Sequence, residues 1–107
     1  MTYSLRFLPD VEEDAIGGYA WYGAKSPGLG EEFLRVFYAC ASEINRNPLL
    51  SPKIYGEFRR RLLRRFPYAI YFMTKEDQVV VIGLFHCARD PRTIRKQLKN
   101  RGKPERP

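Results

Sequence analysis

Histidine occurs once in this chain and cysteine twice, and no apolar run approaches the roughly 20 residues needed to cross a bilayer. Each scarcity removes a class of function. Cys40 and Cys87 are too few for a disulfide framework and stand at no metal-binding spacing, so they are expected as two free thiols in a reducing cytosol, with no metal and no cofactor. The opening MTYSLRFLPD has neither a long apolar core nor a cleavage site, so a signal peptide is not expected and the chain reads as cytoplasmic, without membrane attachment. Acid–base groups are equally sparse. Beyond His86 the chain offers no second histidine and, from Cys87 onward, no tyrosine.

What is present is apolar residues and arginine. With 107 residues, 44% of them hydrophobic and 14% aromatic, the chain can bury a core without staples, and one domain is expected over residues 1–100, followed by a disordered basic tail at 101–107. The net charge of +7 is unevenly placed: residues 1–58 hold five basic and eight acidic side chains, and residues 59–107 hold fourteen basic and four acidic. The second half therefore presents a field that favours a polyanion or an acidic protein.

The stretch RRRLLRRFPYAIYFMTKEDQVVVIGLFHCARDP, residues 59–91, organises the rest. Its aromatic and β-branched runs predict strands over 66–74 and 78–87, joined at Lys75-Glu76-Asp77, with a further strand over 55–63 completing an antiparallel meander. Phe66, Tyr68, Ile70 and Phe72 alternate with Ala69, Tyr71 and Met73, so both faces are apolar and both need cover. Strict alternation in the last strand groups Val79, Val81 and Phe85 against Val80, Ile82 and Leu84, with Gly83 marking a gap or bulge.

Upstream, Tyr3 to Leu8 reads as a strand that Pro9 ends. Asp10 and Glu13 stand at capping-box spacing, which predicts a helix opening at Val11 with Val11, Ala15, Tyr19 and Tyr22 on one stripe. Gly17-Gly18 inside it marks a close approach or a weak point, at a cost of about 1 kcal/mol per glycine relative to alanine. After the turn at 26–30, a second helix over 31–45 carries Phe33, Phe37, Ala41 and Ile44, with Leu34 and Tyr38 beside them. Leu49 to Lys53 reads as a loop. Asp90 and Pro91 are placed to open a short basic helix anchored only by Ile94 and Leu98. The expected class is α+β, in the order β-α-α-β-β-β, with a helical hairpin packed on an antiparallel sheet.

In this order the pieces SPGLGEEF, FRRRLLRRFPYAIYF and VVVIGLFHCARDP resemble the RelE/ParE superfamily of toxins from bacterial toxin–antitoxin pairs, over about residues 3–93 and closest to the ParE-like, plasmid-stabilisation branch. The resemblance implies a toxin neutralised by a cognate antitoxin, with oligomers formed through that antitoxin. ParE-like members inhibit DNA gyrase without chemistry of their own. RelE-like members are ribosome-dependent endoribonucleases acting on mRNA through the 2′-hydroxyl, and a degenerate, non-toxic member is a third alternative.

RNA cleavage requires a base, an acid and cations. His86, Arg89 and Arg61 are the candidates for it. His86 can equally be a strand-end histidine with one satisfied hydrogen bond. Alternation along the first meander strand puts Arg59, Arg61 and Arg65 on one face, with Phe58 and Leu62 marking the core side opposite. Arg59, Arg61, Arg65 and Arg89 are the candidate target-binding cations, or else solvated charges guarding a strand edge, and Arg89-Asp90-Pro91 can equally be an ion pair and cap. Trp21, Tyr22, Leu34 and Tyr38 offer more aromatic surface than one hairpin needs to cover one sheet. They are the candidate antitoxin surface, or core.

Overall fold

In the computed structural model, which describes residues 2–102, two apolar layers flank one sheet. β1 (Ser4–Phe7) is followed by α1 (Pro9–Lys25), α2 (Leu29–Arg46) and a single 3-10 turn at Pro48–Leu50. Then come β2 (Lys53–Tyr55), β3 (Phe58–Leu62), β4 (Tyr68–Lys75), β5 (Gln78–His86) and α3 (Pro91–Arg101). The class is α+β with an N-terminal helical hairpin on the sheet, as the sequence predicts. No helix of the described residues is long and apolar enough to cross a membrane.

The sheet runs β1-β5-β4-β3-β2. β2 to β5 pair antiparallel, but β1 lies parallel to β5, from Ser4 opposite Gln78 to Phe7 opposite Val81, so the sheet is mixed and not antiparallel throughout. The strand predicted over 55–63 is divided. Gly56, at φ +55°, turns the chain between β2 and β3, and β2 takes Lys53 out of the predicted loop.

Both helices begin earlier than their charge patterns imply. α1 starts on Pro9, whose fixed φ and missing N–H suit the first helical position, so Asp10 falls inside the first turn and the capping box does not form. α2 starts at Leu29, after Gly28 at φ +82°. Its Phe33, Phe37, Ala41 and Ile44 are buried against Ile70, Phe72, Val79, Val81 and Leu84.

The opposite face of the sheet is covered by α3. Ile94 and Leu98 pack on Ala69, Tyr71, Val80, Ile82 and Phe85. This helix is firmly anchored, contrary to expectation, because Arg101 joins it to α1: its guanidinium bonds both carboxylate oxygens of Asp14. Arg101 therefore belongs to the folded domain and not to a tail. Gly102 caps the end of α3, its N–H bonded to the Leu98 carbonyl, and residues 103–107, the remainder of the predicted disordered tail, lie outside the described residues.

Faces in β5 change over at a bulge. Tyr71 pairs with Gly83 and Phe72 with Val81, which leaves Ile82 as the extra residue. Val79, Val81 and Leu84 consequently face the hairpin, and Val80, Ile82 and Phe85 face α3, so Leu84 and Phe85 exchange the sides that strict alternation assigns them.

Candidate functional site

The bulge decides where His86 stands. Two positions after Leu84, it lies on the hairpin side of the sheet, opposite Tyr68 of β4, with the two rings edge to face at 5.2 Å. Its Nδ1 accepts a hydrogen bond from the Ala88 N–H at 3.0 Å, so in the neutral imidazole the proton sits on Nε2. His86 and Arg89 share a hollow of about 350 Å³ with Tyr68 and with Glu13, Asp14, Gly17, Gly18 and Trp21 of α1. Burial raises the Tyr68 phenol above its ordinary value, against the opposing charge of Arg89. The Arg89 guanidinium also stacks on the Phe85 ring, 5.1 Å from its centroid, and makes no ion pair among the described residues.

Arg61 is not part of this hollow. It faces the hairpin, where its Nη2 binds Glu43 of α2 at 2.9 Å. There it lines a second groove of about 290 Å³ with Cys40, Glu32, Arg35, Arg64 and Arg65. Arg65, at φ +70° in the loop before β4, reaches Glu32 at 2.9 Å, and Glu32 also pairs with Arg35. The Arg35 bond, ahead of the neighbouring charges, holds Glu32 below its ordinary carboxylate value. Arg59 donates from Nη1 to the Ser51 carbonyl at 2.6 Å. The predicted cationic face is therefore tied to α2 and to the turn before β2.

The assignment of core sides along β3 is corrected by the same geometry. Phe58 packs toward α3, whereas Leu62 is 59% exposed. The strand is near the sheet margin, where neither face is fully covered, so an alternating pattern does not mark a core side.

The four aromatic and aliphatic hairpin residues divide. Tyr22 stacks against Phe33, Phe66 and Tyr68 and is core. Leu34 is half-buried against the same cluster. Trp21 is 58% exposed, with the Lys25 ammonium 4.2 Å over its ring. Tyr38 is 52% exposed and edges Phe7 and Phe37 beside a separate hollow lined by Leu8, Val11 and Glu12. Trp21 and Tyr38 thus belong to different hollows and do not make one patch. Among the described residues no cluster of three or more metal-ligating side chains occurs.

Sequence inspection did not single out Glu13 and Tyr68 beside His86, because only the fold brings them together. No protein-family model and no curated protein matches the chain. Solved structures do. A structure of the chromosomal ParDE toxin–antitoxin system from P. aeruginosa superposes with a TM-score of 0.73 at 15% identity, covering 79% of this chain and 96% of that one. The E. coli toxin RelE, solved free as an arginine-substituted mutant, superposes with a TM-score of 0.63 at 15% identity, covering 96% of this chain and all of that one. The chain has the fold these structures share.

Proposed function

We propose that this chain is the toxin of a toxin–antitoxin pair, a single cytoplasmic domain neutralised by a cognate antitoxin and active by binding DNA gyrase. The family assignment is supported by the fold shared with the ParDE and RelE structures, together with the arginine-rich FRRRLLRRFPYAIYF and VVVIGLFHCARDP stretches. The choice of a binding mechanism is carried by one observation: the three candidates for RNA cleavage do not line one site. His86 and Arg89 line one hollow, and Arg61 lines another, neutralised by Glu43. An acyl- or phosphoryl-type transition state gains from cations only where they converge on the developing charge.

Exposed Trp21 and Tyr38 are two separate anchors available to an antitoxin, half-buried Leu34 is a third candidate contact, and an acidic antitoxin segment matches the basic second half. Oligomers form through that antitoxin. The decisive experiment adds the purified chain to DNA gyrase in a supercoiling assay and, in parallel, to ribosomes programmed with mRNA. Inhibited supercoiling with intact message is the expected result; cut message with unaffected gyrase overturns the mechanism.

One feature favours the ribonuclease alternative. His86 and Tyr68, two side chains of types that can carry a proton, line one hollow with the Arg89 cation. His86→Ala separates the two: full toxicity in a folded variant removes the histidine-based nuclease, and loss of toxicity promotes it. Absence of toxicity in the parent chain itself identifies a degenerate member.

A further inference from the structure

α3 has the sequence PRTIRKQLKNR, five cations and no acid. At 3.6 residues per turn, Ile94 and Leu98 point at the sheet while Arg92, Arg95, Lys96 and Lys99 fall within about 100° of arc on the outside. The acids nearby are already engaged. Asp90 caps the helix and pairs with Arg92 at 3.2 Å, and Asp10 and Asp14 hold Arg101. Arg95, Lys96 and Lys99 make no ion pair among the described residues.

The cations are also positioned. The Arg95 guanidinium lies 4.5 Å from the centroid of the Tyr55 ring, and Arg95 and Lys99 wall an open hollow of about 470 Å³ with Tyr55 and Phe58. Because buried Ile94 and Leu98 and the Arg101–Asp14 pair fix the helix, the stripe is held ready, at little further ordering cost.

We infer that the outer face of α3, with Tyr55 beside it, binds the sugar–phosphate backbone of a nucleic acid. This goes beyond the toxin assignment and does not depend on it. The ligand class follows from what the stripe offers. Arg95 and Lys99 stand one turn apart, about 6 Å along the helix, on the order of the through-space separation of neighbouring phosphates on one strand. The acidic antitoxin segment of the proposed function has its exposed anchors, Trp21 and Tyr38, on the helical hairpin, whereas no apolar side chain of α3 stands on the stripe and the neighbouring Ile54, Tyr55 and Phe58 are half-buried in the adjoining hollow. A backbone asks only for regularly placed positive charge, with Tyr55 as a flat face for a base or sugar.

The test is a fluorescence-anisotropy titration of the purified chain with a duplex DNA, a single-stranded DNA and an RNA of equal length, at several salt concentrations. Binding to any of the three supports the inference, and the tightest identifies the source of the backbone. In the triple variant Arg95→Gln, Lys96→Gln, Lys99→Gln, affinity at low salt falls about tenfold or more, and the slope of log K against log salt becomes shallower by about 0.9 per lost contact on duplex DNA and about 0.7 on a single strand. A charge-matched variant, Arg6→Gln, Arg46→Gln, Lys75→Gln, retains the parent's binding. The inference is overturned if no nucleic acid binds at low salt, if the charge-matched variant loses as much as the stripe variant, or if phosphatidylserine vesicles displace the nucleic acid at lower concentration than they bind the stripe variant.

Discussion

Asp14 and Arg101, 87 positions apart, join through hydrogen bonds of 2.7 and 3.1 Å alongside the bulge in β5. Their position explains their presence. β1 ends at Phe7, and the Leu8 N–H makes the last bond to β5, at the Val81 carbonyl. Beyond it the outer edge of β5 has no strand neighbour among the described residues. Asp14 takes over there by accepting from the Leu84 N–H at 3.1 Å, and Arg101 donates to the Ile82 carbonyl at 3.1 Å. The pair thus satisfies backbone groups that the bulge and the end of β1 leave free, and it ties α1, β5 and α3 together.

Removing one partner strands the other. The two side chains are only 11% and 15% exposed, so Asp14→Ala is expected to cost about 3 kcal/mol in urea unfolding. Arg101→Met costs a similar amount, and the double variant costs clearly less than the sum of the two. Strict additivity of the two changes would refute the coupling.

The adjacent glycines of α1 have opposite expectations. At Gly18 an added Cβ lies 2.4 Å from the ring of Phe33, which is fully buried, so Gly18→Ala overpacks the hairpin and destabilises by about 1–3 kcal/mol. At Gly17 no other described residue stands within 4 Å of an added Cβ, and Gly17→Ala gains roughly 0.8–1 kcal/mol of helix propensity. Thermal melts of the two variants should move in opposite directions.

Much of this was legible in the sequence, and the exceptions have physical causes. The faces of β4 follow from alternation because both are fully packed. Alternation fails in β5 because Ile82 is an extra residue, and Gly83 marks the break without saying which neighbour bulges. The parallel pairing of β1 leaves no mark in a four-residue strand. Arg61 and Arg65 look free in sequence because Glu43 and Glu32 are 18 and 33 positions away. α3 looks weakly anchored when only apolar residues are considered, since a third anchor is an arginine. Its cationic stripe, by contrast, could have been found by placing residues 92–99 at 100° intervals.

The two thiols should report the fold by their reactivity. Cys87 is exposed, whereas Cys40 is 8% exposed, with its S–H directed at the Leu62 carbonyl and its pKa raised, chiefly by burial. A disulfide-exchange reagent at neutral pH should consume one thiol quickly and the second only with unfolding. Cys87→Ser should abolish the fast phase; two fast equivalents in the parent would contradict the burial of Cys40.

The start of α3 should carry its own acid sensitivity. The Asp90 Oδ1 accepts from the Arg92 N–H at 2.9 Å, and this backbone bond, followed by the Arg92 side chain, holds the carboxylate below its ordinary value of 3.8. A carboxylate depressed in the folded state contributes stability that is fully present above its unfolded value. That contribution is lost as pH falls through the lower folded value. The loss therefore belongs below the usual carboxylate range and not near neutrality. Asp90→Asn keeps an oxygen to cap the helix but has no charge to lose, so the difference in urea midpoint between parent and variant should hold steady from neutral pH down to about pH 4 and close below it. Because the other carboxylates are common to both proteins, they largely cancel in that difference. A gap that persists unchanged to about pH 2 would show that the Asp90 charge does not stabilise the docked helix.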